Sequence, residues 1–235
     1  LMKLDQLLKN QEEFMGSLAH EMKTPLTSII GYADLMRIEN LSEEEQKEAC
    51  GYIYSEGKRL QNLSLKLMNL LVLKNQEFQM KKQNLVPMIH EVISSMQYRL
   101  QEQKILVNLN LKPMICEVEA DLLKSLILNL VDNSLKSMNV GGILTIECCP
   151  AQEGAKIYVS DTGCGMPKGE LDKITEAFYR VDKSRSRKQG GVGLGLALCK
   201  EIVRIHKGDM EFISQEEKGT TAIITIGGGH YEKTD

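Results

Sequence analysis

The sequence predicts two domains of different class. The first is an all-α helical hairpin, completed as a four-helix bundle when two copies pair, and the second is an α/β sandwich. Three observations carry this. Up to residue 74 the apolar residues recur at steps of three and four, the period of one helix face. From Leu85 onward, short alternating runs such as ILVNLNL (105–111) appear between helical stretches, which reads as strands mixed with helices. Between these regions, KNQEFQMKKQN (74–84) is polar and has no clear period. The expected division is therefore residues 1–74 as hairpin, 75–84 as linker, 85–230 as the second domain and 231–235 as a tail.

Composition fits that division. The 235 residues are 42% hydrophobic and 26% charged, with a formal net charge of −3. Such a chain can build a core, which excludes a disordered or collagen-like protein. Its near charge balance, with no tryptophan and 5% aromatic residues, argues against a nucleic-acid partner. No apolar stretch reaches the roughly 20 residues of a membrane-spanning helix, and no secretory signal opens the chain. Because the first residue is Leu1, the expectation is a fragment or a processed chain. Six scattered cysteines contain no C-x-x-C pair, so they read as buried or half-buried thiols of a reducing compartment rather than zinc ligands.

The first helix follows from Phe14, Leu18, Met22, Leu26, Ile29, Ala33 and Met36. Asn40 and Leu41 break the pattern, and Ser42 with Glu45 forms a capping box that starts a second helix. Its seam runs Ala49, Ile53, Leu60, Leu63, Leu67 and Leu70. Two helices joined by a short break make an antiparallel hairpin, but two helices cannot cover two apolar stripes, so a second copy is expected to cover the rest. In the second domain the expected elements begin with a helix over 87–103, strands over 105–111 and 115–118, and a helix over 121–138. Strands over 143–149 and 156–160, a short helix over 170–178 and a helix over 195–206 come next, and strands over 210–214 and 220–226 close the domain.

Four clusters can do chemistry. His20 falls opposite the apolar stripe, with Glu21 beside it, Thr24 on the same outward face and Pro25 inside the helix. An exposed imidazole beside a carboxylate and a helix distortion suits a nucleophile, and the same pattern also suits a solvated surface histidine. Asn129 and Asn133 share a face of an apolar helix, with Lys136 one turn on. Their amides could serve Mg²⁺ and phosphate, or could cap loops. Asp161 ends a strand and is followed by Gly163 and Gly165, so a flat ligand could approach the backbone and its amino group could donate a hydrogen bond to the carboxylate. A simple tight turn has the same pattern. Finally, GGVGLG (190–195) leads into a helix and forms an anion site. Neither the dinucleotide fingerprint nor a P-loop matches it. The basic run between Tyr179 and Lys188 reads as a solvated loop or as a lid that supplies cations.

In their order, these clusters strongly resemble the sensor histidine kinases of bacterial two-component systems. FMGSLAHEMKTPLT (14–27) is similar to the phosphoacceptor motif and NLVDN (129–133) to the asparagine motif. DTGCG (161–165) and GVGLG (191–195) resemble the two glycine motifs, FYR (178–180) the phenylalanine motif, and GTT (219–221) the late threonine-bearing strand. Ala19, Ser134 and Ser137 depart from the usual serine, alanine and tyrosine.

The resemblance implies a dimerisation and phosphoacceptor hairpin followed by an ATPase domain of the Bergerat fold. At matching positions, His20 would accept the γ-phosphoryl of ATP, Glu21 would act as base, and Thr24 would orient the water that hydrolyses a phosphorylated regulator. Asn133 would hold Mg²⁺, Asn129 would support phosphates or metal, and Lys136 and Arg180 would contact phosphate. Asp161 would bind the adenine amino group, with Gly163 and Gly165 allowing close approach. Gly191, Gly193 and Gly195 would form the lid hinge and phosphate edge, and Leu194 and Thr220 would also bind ATP. The implied partners are a second copy and the receiver domain of a response regulator. Membrane attachment is expected only through a missing N-terminal region, which makes this the cytoplasmic portion of an anchored protein. Two alternatives remain: an ATP-binding pseudokinase or dimeric scaffold, and a Bergerat-fold ATPase of another class. Asn129 stands where the latter use a glutamate.

Overall fold

The structure is a computed structural model that describes residues 2–38, 41–138, 140–151, 154–182 and 191–227. Two long helices, α1 (Met2–Ile38) and α2 (Glu43–Asn75), form the expected antiparallel hairpin. Pro25 lies inside α1 without ending it. The capping box that starts α2 is complete: the Ser42 amide donates to Glu45 Oε2 at 2.8 Å, and the Glu45 amide donates to Ser42 Oγ at 3.3 Å. Near the hairpin tip, Tyr32 and Tyr52 stack with ring centroids 4.6 Å apart.

The expected linker is shorter than its polarity suggested. Residues 81–84 form strand β1 (Lys81–Asn84), antiparallel to β3 (Ile115–Val118). KKQN carries no apolar alternation, so backbone pairing alone makes it a strand. Asn84 then caps α3 (Leu85–Ser95) through its side chain. Instead of one helix over 87–103, a break at Met96 separates α3 from α4 (Gln97–Glu102).

The main sheet has the order β2-β4-β5-β7-β6, with β2 (Leu106–Leu111) parallel to β4 (Ile143–Pro150). The other pairs, among β4, β5 (Ala155–Asp161), β7 (Gly219–Ile226) and β6 (Asp209–Gln215), are antiparallel. Alternate residues of three central strands are buried on one face: Leu144, Ile146 and Cys148; Ile157 and Val159; Ala222, Ile224 and Ile226. They meet the apolar stripes of α5 (Ala120–Ser137) and α6 (Gly195–Ile205), including Leu126, Leu130, Leu198 and Ile202. Each such side chain contributes about 1.5–3 kcal/mol. Buried His206 ties the two helices together. Its Nε2 accepts from the Glu119 amide at 3.1 Å and its Nδ1–H donates to the Ile202 carbonyl at 2.8 Å, which fixes the tautomer.

The helix expected over 170–178 does not form. A 3₁₀ turn (Lys168–Glu170) is followed by further turns in which amides bond three residues back, such as Lys173 to Glu170 and Glu176 to Lys173. Phe178 leaves in the left-handed region (φ 68°), so its amide meets the Gly193 carbonyl at 2.9 Å. Its ring packs on Phe14 of α1, with centroids 5.2 Å apart. The six cysteines are free thiols; Cys116, Cys148 and Cys199 are buried.

Candidate active site

Five segments of the second domain, together with Lys66 of α2, wall a cavity of about 790 Å³ on the helix side of the sheet. Asn133, Lys136 and Ser137 come from the end of α5, Gly165 to Pro167 from the turn after β5, and Tyr179 to Asp182 from the chain after the 3₁₀ turns. Gly191, Gly193 and Gly195 lead into α6, and Thr220 starts β7. The basic run 183–188 and Gly190 lie outside the described residues.

Asp161 sits behind this wall. Its Oδ1 accepts from the Ser137 hydroxyl (2.9 Å), the Gly163 amide (2.9 Å) and the Thr220 amide (3.3 Å). The nearby Ser134 hydroxyl also lowers this carboxyl's pKa. One departure from the family pattern on α5, Ser137, thus holds the aspartate directly. Burial raises the Asp161 carboxyl above the ordinary aspartate range, against the opposing pull of these hydrogen bonds. The glycines make room. A Cβ on Gly163 would overlap the Ser137 side chain, and one on Gly165 (φ 61°) would overlap the Gln215 carbonyl. Gly193 (φ 76°) admits no side chain because the backbone of Phe178 and Tyr179 crosses it.

At the other end, Gly195 faces the amides of Asn129 and Asn133, whose atoms would lie 3.4–3.8 Å from a Cβ there. Asn129 also donates to the Ser125 carbonyl at 2.8 Å and does not line the cavity. Lys136 lines it while paired with Asp132 at 2.6 Å, and Asp132 also holds Arg99 at 2.6 Å. Burial pushes the Asp132 carboxyl up, but these cations outweigh it and leave it below its usual range. Leu194, expected at the ATP site, has its side chain fully buried in the core, and the glycines on either side of it line the cavity.

His20 is exposed on α1, as its helix position predicted. The Thr24 hydroxyl leans back to the His20 carbonyl at 3.4 Å. Glu21 departs from expectation. It is buried, and its carboxylate is bonded to Arg59 of α2 at 3.0 Å and to Arg180 of the cavity wall, not to the imidazole. The cause is domain packing: α2 packs against α6, and Leu63, Leu70 and Leu73 join the core of the second domain. Arg180 also donates to the Gly191 carbonyl at 2.8 Å, and its buried Nε has no partner among the described residues.

Sequence reasoning missed Arg59 and Lys66. Both lie on α2, and neither belongs to a motif. Lys66 reaches the cavity wall, where burial and then the neighbouring Lys136 charge hold its ammonium below the ordinary lysine range. Among the described residues no group of three or more His, Cys, Asp or Glu side chains could hold a metal ion, and no helix is long and apolar enough to cross a membrane.

The donor set fits a nucleotide. It combines a half-buried carboxylate beside two glycines, a glycine-lined helix start, two lysines and a guanidinium with an unsatisfied buried N–H. Comparison with known proteins agrees. Residues 10–70 match the His Kinase A (phospho-acceptor) domain, and residues 118–228 match the histidine kinase-, DNA gyrase B-, and HSP90-like ATPase family. The chain is 32% identical over 235 residues to the sensor histidine kinase WalK of Bacillus subtilis, covering 95% of this chain and 37% of that protein. It is 29% identical over 229 residues to the sensor protein SrrB of Staphylococcus aureus, covering 95% and 38%. The chain therefore spans little more than a third of these curated relatives. Among solved structures, histidine kinase ThkA in complex with response regulator protein TrrA superposes with a TM-score of 0.76 at 22% identity, over 97% of this chain and 66% of that one. Acinetobacter baumannii histidine kinase AdeS superposes with a TM-score of 0.68 at 20% identity, over 89% and 98%. A phosphoacceptor hairpin joined to an ATPase domain, both matched in order, shows that the chain belongs to the sensor histidine kinases of bacterial two-component systems and carries their catalytic core.

Proposed function

We propose that the chain transfers the γ-phosphoryl of ATP to His20 and then passes it to an aspartate on the receiver domain of a response regulator. One observation supports this above the others: Arg180, a wall of the nucleotide cavity, is bonded to Glu21, the residue beside His20. The cavity and the phosphoacceptor helix are therefore linked by a single side chain.

In this reading Asp161 accepts the adenine amino group, and the amides at 191–195 and Lys136 take the phosphates. Asn133 suits Mg²⁺, which would neutralise phosphate charge while the phosphates and water supply most of its ligands. Transfer breaks the bond from the γ-phosphorus to its bridging oxygen and forms one to the imidazole, with ADP leaving. His20 does not line the cavity here, so transfer requires the second domain to move along the hairpin. Taking Arg180 onto phosphate would free Glu21 Oε1 to receive the imidazole proton, while Arg59 keeps Oε2. A pair of hairpins supplies the four-helix bundle, since Met22, Leu26 and Ile30 stay exposed on a single copy. Thr24, one turn from His20, suits a water-orienting role in dephosphorylating the regulator. ATP and the regulator place this chemistry on the cytoplasmic side of any anchored protein.

The test is incubation with γ-labelled ATP and Mg²⁺, beside a His20→Ala variant. The expected result is acid-labile, base-stable label on the wild type and none on the variant. Equal labelling of both, or an unlabelled wild type that still binds ATP, would overturn the proposal, the second outcome in favour of a nucleotide-binding scaffold.

A further inference from the structure

Lys66 lines a cavity that its own domain does not build. It lies three residues after Leu63 and four before Leu70, both buried, so it sits on the stripe of α2 that packs against the second domain. From there it joins Asn133, Lys136, Gly195 and Arg180 around the cavity. An ammonium in such a place loses hydration and faces a second lysine. The carboxylate acting on it from α5, Asp132, is already shared by Lys136 and Arg99. Asp182, Glu216 and Glu217 also line the cavity. The last two belong to the β6–β7 turn at the Cys164 end, where the Glu217 amide donates to the Cys164 carbonyl at 2.7 Å. Positive charge therefore gathers at the α5–α6 end, beside the glycine amides.

We propose that Lys66 is a phosphate-binding residue supplied across the domain interface. Its ammonium and that of Lys136 flank the phosphates of a nucleoside triphosphate when the second domain lies against α2 as it does here. A polyanion between two lysines from two domains draws the domains together. Bound triphosphate then favours this docked arrangement, and docking tightens triphosphate binding by the same factor. The inference rests on the nucleotide reading of the cavity and adds a phosphate contact that the ATPase domain alone cannot provide.

Titration calorimetry on the full chain tests it, with Mg²⁺ and three ligands: adenosine, ADP and a non-hydrolysable ATP analogue. Lys66→Met keeps the length and apolar stem of the side chain, and Lys66→Arg keeps the charge. The expected result is a loss of about five- to tenfold in affinity for the analogue in Lys66→Met. The loss should be smaller for ADP and absent for adenosine, with most of the affinity restored in Lys66→Arg. Unchanged affinity for the analogue in Lys66→Met, or an equal loss for adenosine, would overturn the role of Lys66 alone. A wild type that fails to bind the analogue would overturn the nucleotide reading itself.

Discussion

In the α/β domain, Leu126, Ile127, Leu144, Ile146 and Ile202 are each under 2% exposed, whereas on the hairpin Leu26, Ile30, Leu65 and Met68 are 43%, 58%, 58% and 57% exposed. The helices of both regions carry an apolar stripe in sequence. The second domain satisfies it internally, by laying two helices on one face of a sheet. The hairpin satisfies part of it against the second domain, through Leu63, Leu70 and Leu73, and leaves the rest exposed. A periodic stripe thus states that a face will be covered, without saying by what.

Paired substitutions break this comparison most sharply. Leu126→Ala should cost the α/β domain about 2–5 kcal/mol in denaturant unfolding, because its neighbours cannot close the cavity. Leu26→Ala should leave that transition within about 0.5 kcal/mol and instead weaken self-association, seen as lighter species on dilution in sedimentation. Equal effects of the two on domain unfolding would erase the distinction.

Asp161→Asn tests the domain that completes itself. Burial raises this carboxyl's pKa on folding, so its contribution to stability is largest in acid, below the unfolded value, and declines as pH rises through the folded value. At neutral pH the ionised group opposes folding. The asparagine variant should melt about 2–4 °C higher without nucleotide, yet bind the ATP analogue about tenfold more weakly, since a neutral amide oxygen replaces a charged acceptor. A lower melting temperature in thermal scans, or unchanged affinity, would contradict the role assigned to this group. In the wild type, analogue affinity should begin to fall at a higher pH on acidification than an ordinary aspartate would allow.

The smallest effect belongs to the hairpin. Ser42→Ala removes one partner of the capping box and should cost about 1 kcal/mol of α2 stability, read by circular dichroism. No change would mean that contact with α1, and not the cap, holds the start of the helix.

Much of this was legible in the sequence because it is local. The hairpin, the capping box, the exposed face of His20 and the aspartate at a strand end each depend on residues a few positions apart. Gly193 was legible as part of a glycine run, although the backbone that crosses it was not. What escaped depends on distance along the chain. The Glu21 carboxylate meets Arg59 and Arg180, 38 and 159 residues away, and charged residues leave no periodic trace of the partner they will find. Lys66 looked like one more polar position on an amphipathic helix. The strand over 81–84 is held by backbone pairing and shows no side-chain pattern, and the turns over 171–178 carry helical spacing that the left-handed Phe178 overrides.

The 37 residues of α1, at about 1.5 Å each, make a rod about 55 Å long. Pro25 has no amide hydrogen, so the Glu21 carbonyl lacks its usual donor within that rod. Between Glu21 and Pro25 the rod is therefore one backbone hydrogen bond weaker than elsewhere, so a bend along it is easiest there, five residues past His20.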